Sequence, residues 1–542
     1  MDAVVELGAH DHENSAQAAF LILRYSASRK SDHLMRMVPP SIYEEAAEEH
    51  DAAVLHTLSL LMHASDPLRL DAHRDEDDED ALHLARVQAM LPVAAGGCGL
   101  GSAMLTSNVA YVSSWIDYLR FMREHPSLFP TLLPLISSEL LEDSGMQAVV
   151  ELRDAWDEVE GRMQRDSEEQ PGTALPGLIE LQALLGEQVQ GVGTLHLAKE
   201  RSQARLTQAC WRAAERKWRK MGDRIDGTRL TDCGGKEAQW VSAVPSRPQY
   251  ALTSADWRDA FCNRLGVPKS FLEAGPGDCD CHDRFDRRSG QIRMGRPDAQ
   301  RPRPDGTEPR RRTRKRPKPV DAYGEHDQRC PHSFKLGRHD AVQAVTQRLL
   351  QRGGIQTNLA SVHELRASSA DTSQKKADLQ CTNLSSDGKV TLLDLGITHP
   401  LIDTNISIKS TEERGFAANK YGDKKEAGYV KVIEDNELDL NYHSFTFGTF
   451  GAFGSGTWKV IKTVCDPETH PHAHGDYDPW KAPDPKRDFT LTLGFALQRA
   501  NARMVRNADL RRRRNRAGER YASGAKDHED LDPDSSDSSD SD

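Results

Sequence analysis

Hydrophobic residues in the first half of the chain recur at spacings of three and four, as they do on one face of a helix. The spacing is clear in residues 18–23, 54–58 and 132–156, and strand-like alternation is nearly absent over this half. We therefore predict a mainly α-helical N-terminal half, with a helical region over residues 1–160 and a helical linker over 161–270.

The pattern changes after residue 376 to short segments in which apolar and polar residues alternate, which is typical of strands. These segments are 377–381, 390–398 and 444–447, and stretches with helical spacing lie before and between them. The combination predicts a domain of helices and strands, of the α/β or α+β class, over residues 336–502. The chain as a whole is thus predicted to be multidomain.

Charge is distributed in blocks that the formal net charge of -12 conceals. Residues 284–318 carry fourteen Lys and Arg against four acids, whereas residues 527–542 carry eight acids and no base. Segments of this composition bury too little apolar surface to fold alone. We therefore expect a disordered basic insert and a disordered tail over 503–542 that is first basic and then acidic.

Membrane and secretory signals are absent from the sequence pattern. No apolar run approaches the ~20 residues that a membrane-spanning helix requires, so we expect no membrane partner. Nine cysteines at irregular spacing, without a basic-then-apolar N-terminal stretch, favour a reducing compartment over a disulfide framework.

Residues 271–335 contain four side chains that suit tetrahedral zinc: Cys279, Cys281, His326 and Cys330. His282 is an alternative to Cys281. The two pairs are separated by 44 residues, and the entropic cost of closing such a loop grows only logarithmically with its length. We predict a zinc-knuckle-like region here, with unrelated surface cysteines as the alternative.

Between the two pairs lies a run of basic residues: Arg310, Arg311, Arg312, Arg314, Lys315 and Arg316. Such a run binds phosphates through charge and counterion release, or serves as a nuclear import signal. Either role requires exposure. A purely solvating loop is the alternative.

Two aspartates fall on neighbouring predicted strands in positions that favour a metal site. Asp378 lies at the start of one strand, and Asp394 ends the apolar run of the next, with a turn around Gly388 between them. In an antiparallel hairpin of this register the two carboxylates meet at one end, where they can hold a metal that activates water. An acid pair without catalytic function is the alternative. The following predicted helix carries three lysines: Lys420, Lys424 and Lys425.

Several segments, in their order along the chain, resemble the C-terminal part of non-LTR retrotransposon polyproteins. In that family the order is a post-polymerase linker, a Cys/His knuckle and a restriction-enzyme-like endonuclease. The resemblance runs from about residue 17 to residue 502 and rests on residues 17–25, 33–40, 91–100, 240–245, 261–266, 324–330, 337–339, 377–378, 393–400, 447–452 and 497–502.

The resemblance implies an α/β restriction-endonuclease-like domain that nicks DNA with Mg²⁺ or Mn²⁺ held by Asp378 and Asp394. It also implies a catalytic lysine at Lys425 or its neighbour Lys424, because Gly396 stands where a lysine two residues after Asp394 is expected. DNA and element RNA are the implied partners, Zn²⁺ is the second implied cofactor, and the nucleus is the implied location. The nucleic-acid contacts that it implies, besides the basic insert, are Arg338 and His339.

The family's polymerase palm precedes the region that this chain resembles, so we expect no reverse transcription from it. Two alternatives to an active endonuclease stay open. One is a catalytically inactive nucleic-acid-binding remnant of a retroelement, and the other is an interaction protein built on the helical half.

Overall fold

The structure is a computed structural model in which the protein is mainly helical, with a small mixed sheet in the C-terminal half. No helix in the described part of the chain combines the length and the apolar character needed to cross a membrane. The residues that the structure describes are 1–10, 12–62, 79–128, 147–167, 202–273, 278–279, 284–286, 291–293, 318–321, 323–330, 333–360, 365, 376–401, 408–468, 470 and 484–516.

The described part of the first 273 residues consists of helices and their connections, which confirms the prediction from hydrophobic spacing. Side-chain caps begin several helices; Thr253 Oγ1, for example, accepts the Asp256 N–H at 3.1 Å. The helices are α1 Asp2–Ala9, α2 Ser15–Tyr25, α3 Leu34–Met37, α4 Pro40–Leu61, α5 Glu79–Met90, α6 Ala103–Glu124, α7 Gln147–Ser167, α8 Ser202–Met221, α9 Arg224–Asp232, α10 Ser254–Leu265 and α11 Ser270–Glu273.

Short strands flank the basic insert. Strand β1 (Asp278–Cys279) pairs antiparallel with β4 (Lys318–Pro319), with Cys279 opposite Lys318. Within the insert, β2 (Arg284–Asp286) pairs with β3 (Gln291–Arg293). The β1–β4 pairing brings the two ends of the insert together, so the chain continues to α12 (Glu325–Arg329) from the place where it left β1.

The C-terminal half contains the four-stranded sheet, in the order β5-β6-β7-β8. The first two pairings are antiparallel and the β7–β8 pairing is parallel. The predicted strands and the hairpin turn at Gly388, with φ of 76°, are confirmed. The elements are α13 Lys335–Arg352, β5 Gln356–Leu359, β6 Leu379–Thr382, β7 Val390–Thr398, α14 Ile408–Glu412, α15 Phe416–Asp435, β8 Leu440–Gly448, α16 Ser455–Val464 and α17 Pro485–Arg516.

The long helix α17 contributes to the two largest hydrophobic cores of the described residues. One core joins the N-terminal helices and includes Leu491 and Phe495 of α17. The other lies between the sheet and the helices that cover it, and includes Leu493 and Leu497 of α17. Because residues two positions apart on one helix pack into different cores, α17 fixes the helical half against the sheet.

Helix α17 also corrects the predicted boundary of the tail at residue 503. The helix continues to Arg516, with Met504, Val505 and Ala508 buried. Charge composition misled the prediction because the bases of this segment have acidic partners: Arg506 pairs with Asp256 and Asp259 of α10. The rest of the tail, residues 517–542, lies outside the described residues.

Candidate active site

The β6–β7 hairpin places Asp378 and Asp394 across from each other. Leu379 pairs with Leu393 in the ladder, and the Asp378 N–H donates to the Leu393 carbonyl at 3.0 Å. Directly opposed residues of an antiparallel pair project from the same face of the sheet. The two carboxyls are close enough to shift each other's pKa, so the hairpin brings these side chains together.

Asp394 is held by side chains from two further elements. Its Oδ2 lies 3.0 Å from Lys425 Nζ of α15 and accepts the Tyr442 hydroxyl of β8 at 3.2 Å. Lys425 Nζ also donates to the Leu395 carbonyl at 2.5 Å. Lys424, the neighbouring candidate, is exposed. The structure therefore brings Lys425 to the carboxylates.

Asp378 is bound from the opposite side. The Leu395 N–H donates to its Oδ2 at 2.6 Å, and His339 Nε2 of α13 lies 3.2 Å from the same oxygen. The other imidazole nitrogen, Nδ1, lies 3.2 Å from Asp340 Oδ1. His339, which the resemblance implied to be a nucleic-acid contact, is thus part of the carboxylate site.

These contacts make the pKa values of the two carboxyls differ. Burial raises the pKa of Asp394 to about 6; Asp378 adds to this rise and the Lys425 ammonium opposes it. Burial alone would also raise the pKa of Asp378, but the hydrogen bond and charge of His339 lower it below its usual value. The hydrogen bond to Asp378 in turn raises the pKa of His339. Asp378 is therefore the more acidic of two carboxyls that share a site.

Packing leaves no room for a side chain two residues after Asp394, where the resemblance implied a lysine. A Cβ atom at Gly396 would lie 2.5 Å from the ring of Tyr421 on α15. The helix therefore occupies the space that a strand side chain would need. Lys425, one turn further along the same helix, supplies an ammonium from above the strand instead.

Aromatic side chains form one wall of the site, and sequence reasoning did not assign them a role there. The rings of Tyr429 and Tyr442 stack with centroids 4.5 Å apart, and Lys425 Nζ lies 5.2 Å from the centroid of Tyr421. Tyr442 is recognisable only from the parallel register of β8 on β7, where it pairs with Leu392. No local pattern in the sequence gives that register.

The resemblance implied a nucleic-acid contact at Arg338, which the structure places between α13 and α17. Its side chain is buried and donates from Nη1 to Asn501 Oδ1 of α17 at 3.2 Å. Burial lowers the pKa of this guanidinium to about 10. A phosphate cannot reach it without unpacking the interface between α13 and α17, so Arg338 is part of that interface.

The zinc prediction stays a prediction. Cys330 is buried and His326 lies one turn earlier on α12, but Cys281 lies outside the described residues, and so does the side chain of Cys279. In the part of the chain that the structure describes, no three His, Cys, Asp or Glu side chains form a group suited to a metal. The basic residues of the insert, 310–316, also lie outside that part.

The chemistry of the carboxylate site nevertheless suits a hard cation. Two carboxylates and the Leu395 carbonyl offer oxygen ligands within one cluster. Magnesium keeps several waters and is commonly held by one or two carboxylates together with substrate phosphates. Two protein carboxylates are therefore enough for a magnesium site of this kind.

A cavity of about 980 Å³ lies away from the carboxylates, between α8 and residues 412–414. Its lining mixes Arg36, Arg212 and Arg219 with Asp117 and Glu215. Arg36 pairs with Asp117 and Arg219 with Glu215, so the lining has little net charge.

Comparison of the chain with protein-family models and with curated proteins found no match.

Proposed function

We propose that the C-terminal half is a metal-dependent endonuclease that nicks DNA, with a restriction-endonuclease-like domain, in the C-terminal part of a non-LTR retrotransposon polyprotein. One observation carries the proposal: two carboxyls opposed across a hairpin, with Lys425 Nζ 3.0 Å from Asp394. Phosphodiester hydrolysis needs this combination of anionic metal ligands and a cation near the reacting phosphate. A nuclear location and DNA and RNA partners belong to the same proposal.

Each residue of the site has a distinct task in this mechanism. Asp378 and Asp394 would hold Mg²⁺ or Mn²⁺, which supplies Lewis acidity and an activated water. Lys425 stabilises negative charge that develops on the phosphate. His339 orients Asp378 through its hydrogen bond, and Tyr442 orients Asp394 in the same way.

The test is the nicking of supercoiled plasmid in Mg²⁺ or Mn²⁺. Asp378→Asn, Asp394→Asn and Lys425→Met are each expected to slow nicking by roughly 100-fold or more, because each removes a ligand or a transition-state charge. Lys424→Met is the matched control, since this exposed neighbour carries the same charge on the same helix. It should nick at the wild-type rate. Wild-type nicking by Asp394→Asn would overturn the proposal.

An inactive nucleic-acid-binding remnant is the second candidate, and one observation favours it. Lys425 and His339 already satisfy the two carboxyls, and Lys425 also occupies the Leu395 carbonyl that a metal would use. A remnant would bind DNA with a steep dependence on salt and would not nick it in either metal. Binding would then be unchanged in Asp394→Asn.

A further inference from the structure

Helix α15, which carries Lys425, begins with a residue that has no capping side chain. Gly415 adopts a φ of 73° at its N-cap position, and no side chain of the helix caps its first turn. The Gly415 N–H donates instead to Asp232 Oδ1 at 2.9 Å, across a sequence separation of 183 residues. The first turn of this helix is therefore held by the last residue of α9, in the helical half.

The chain just before Gly415 is held by the same half. The Thr411 carbonyl accepts the Thr231 hydroxyl at 2.7 Å and Arg219 Nη1 at 2.8 Å. Arg414 Nε lies 3.2 Å from Glu237 Oε1, and this carboxylate is almost fully buried. Four contacts thus fix residues 411–415, which we call the anchor segment, to α8, α9 and the turn that follows α9.

The N-terminal part of α15 meets the sheet through small side chains. The helix meets β8 through small residues: Ala417, Ala418 and Gly422 are buried, and the Cβ position of Gly422 lies 2.8 Å from Ser444 Oγ. This part of the face lacks the large side chains that key a helix into one position. The anchor segment therefore fixes the N-terminal end of α15, whereas the stacking of Tyr429 on Tyr442 fixes the part beyond Lys425.

We propose that Asp232 is a positioning residue for the endonuclease: through the N-terminal end of α15 it holds Lys425 against Asp394. This inference rests on the proposed function. The helical half is then part of the functional nuclease, because Asp232, which positions Lys425, lies outside the sheet domain. A displacement of ~1 Å in a reacting group can cost up to about 100-fold in rate.

Two substitutions of Asp232, made in the full chain, distinguish its positioning role from a general contribution to stability. Asp232→Ala removes the acceptor, whereas Asp232→Asn keeps an oxygen for the Gly415 N–H. Asp223→Ala is the matched control, because Asp223 caps α9 through the Asp226 N–H at 2.8 Å and does not touch α15. Each substitution to alanine removes one side-chain acceptor of a backbone N–H.

The expected kinetic result is a fall in kcat of roughly tenfold or more for Asp232→Ala with KM for DNA nearly unchanged. Asp232→Asn should retain most of the wild-type kcat, and so should Asp223→Ala. Amide hydrogen exchange in the first turn of α15 should quicken in Asp232→Ala alone. An equal loss of kcat in Asp232→Ala and Asp223→Ala, or no loss in either, would overturn the proposal.

A second readout does not depend on nuclease activity. Reductive methylation followed by mass spectrometry measures the accessibility of Lys425, whose side chain is 17% exposed and paired with Asp394. Its reactivity relative to exposed Lys424 should rise in Asp232→Ala and not in Asp232→Asn. If the wild type does not nick DNA but this rise occurs, the proposed function fails and the positioning role stands. If the wild type nicks and the rise is absent, the positioning role fails.

Discussion

Asp232 has a second property that follows from its burial. The side chain is 2% exposed, and burial raises its pKa to about 7, with Glu237 adding to the rise and the Gly415 N–H and Arg414 opposing it. In the unfolded chain an aspartate releases its proton near pH 4. The folded protein therefore binds one more proton than the unfolded chain between about pH 4 and 7.

This difference predicts how stability changes with pH. The contribution of Asp232 to the free energy of unfolding falls as pH rises from about 4 to 7, by up to ~1.4 kcal/mol per pH unit. Asp232→Asn cannot titrate, so the stability of the variant relative to wild type should increase across this window and level off above pH 7. Urea unfolding at pH 5 and pH 8 measures the change. A constant difference between the two proteins would show that Asp232 titrates as it does in the unfolded chain.

At the scale of elements, the close approach of α15 to β8 decides where Lys425 lies. A Cβ atom on Gly422 would meet Ser444 Oγ at 2.8 Å and Thr446 Oγ1 at 3.1 Å. Both atoms belong to a buried strand, so the helix would have to move away from the sheet. Lys425 is three residues further along the same helix and would move with it.

Gly422→Ala is therefore expected to reduce stability by ~1–3 kcal/mol through overpacking and to slow nicking. Gly337→Ala on α13 is the matched control, because nothing lies within 4 Å of the added Cβ atom. There the better helix propensity of alanine should raise stability by ~0.5–1 kcal/mol. Thermal unfolding measures both variants. Stabilisation by Gly422→Ala would mean that the helix does not rest on the strand as closely as described.

The sequence predicts the elements of the site better than their mutual positions. Alternation locates β6 and β7, and the turn residue Gly388 between them predicts a hairpin, so the approach of Asp378 to Asp394 is accessible from local pattern, although the exact register is not. Tyr442 and Asp232 depend on contacts between distant segments, and alternation or helical spacing carries no information about them. The burial of Arg338 also depends on such a contact, because a charged residue in an amphipathic helix is expected to be exposed until its interface is known.

At the scale of the whole molecule, the two halves are joined by buried charges along α17. Asp488 is fully buried and binds Arg247 and Tyr250 of the helical half together with Arg352 of α13. Further along, Arg506 holds Asp256 and Asp259 of α10. Breaking such a pair on one side leaves buried carboxylates without a partner, which is costly.

Truncation of α17 tests how much these contacts stabilise the protein. A chain that ends after residue 502 loses Arg506 together with buried Met504 and Val505, and should lose at least ~3 kcal/mol of stability. A chain that ends after residue 516 keeps every one of these contacts and should unfold at the wild-type temperature. Calorimetry compares the two. Equal melting temperatures would show that the end of α17 contributes nothing to the stability of the contact between the two halves.

Helix α17 also has a consequence for how the protein is made. Ribosomes deliver the chain from its N-terminus, and domains usually fold as they emerge. In this protein the N-terminal core is complete only after Leu491 and Phe495 have been added. These two residues are synthesised after every other residue of that core. The helical half must therefore remain incomplete, with apolar surface open to chaperones, until the last helix has left the exit tunnel.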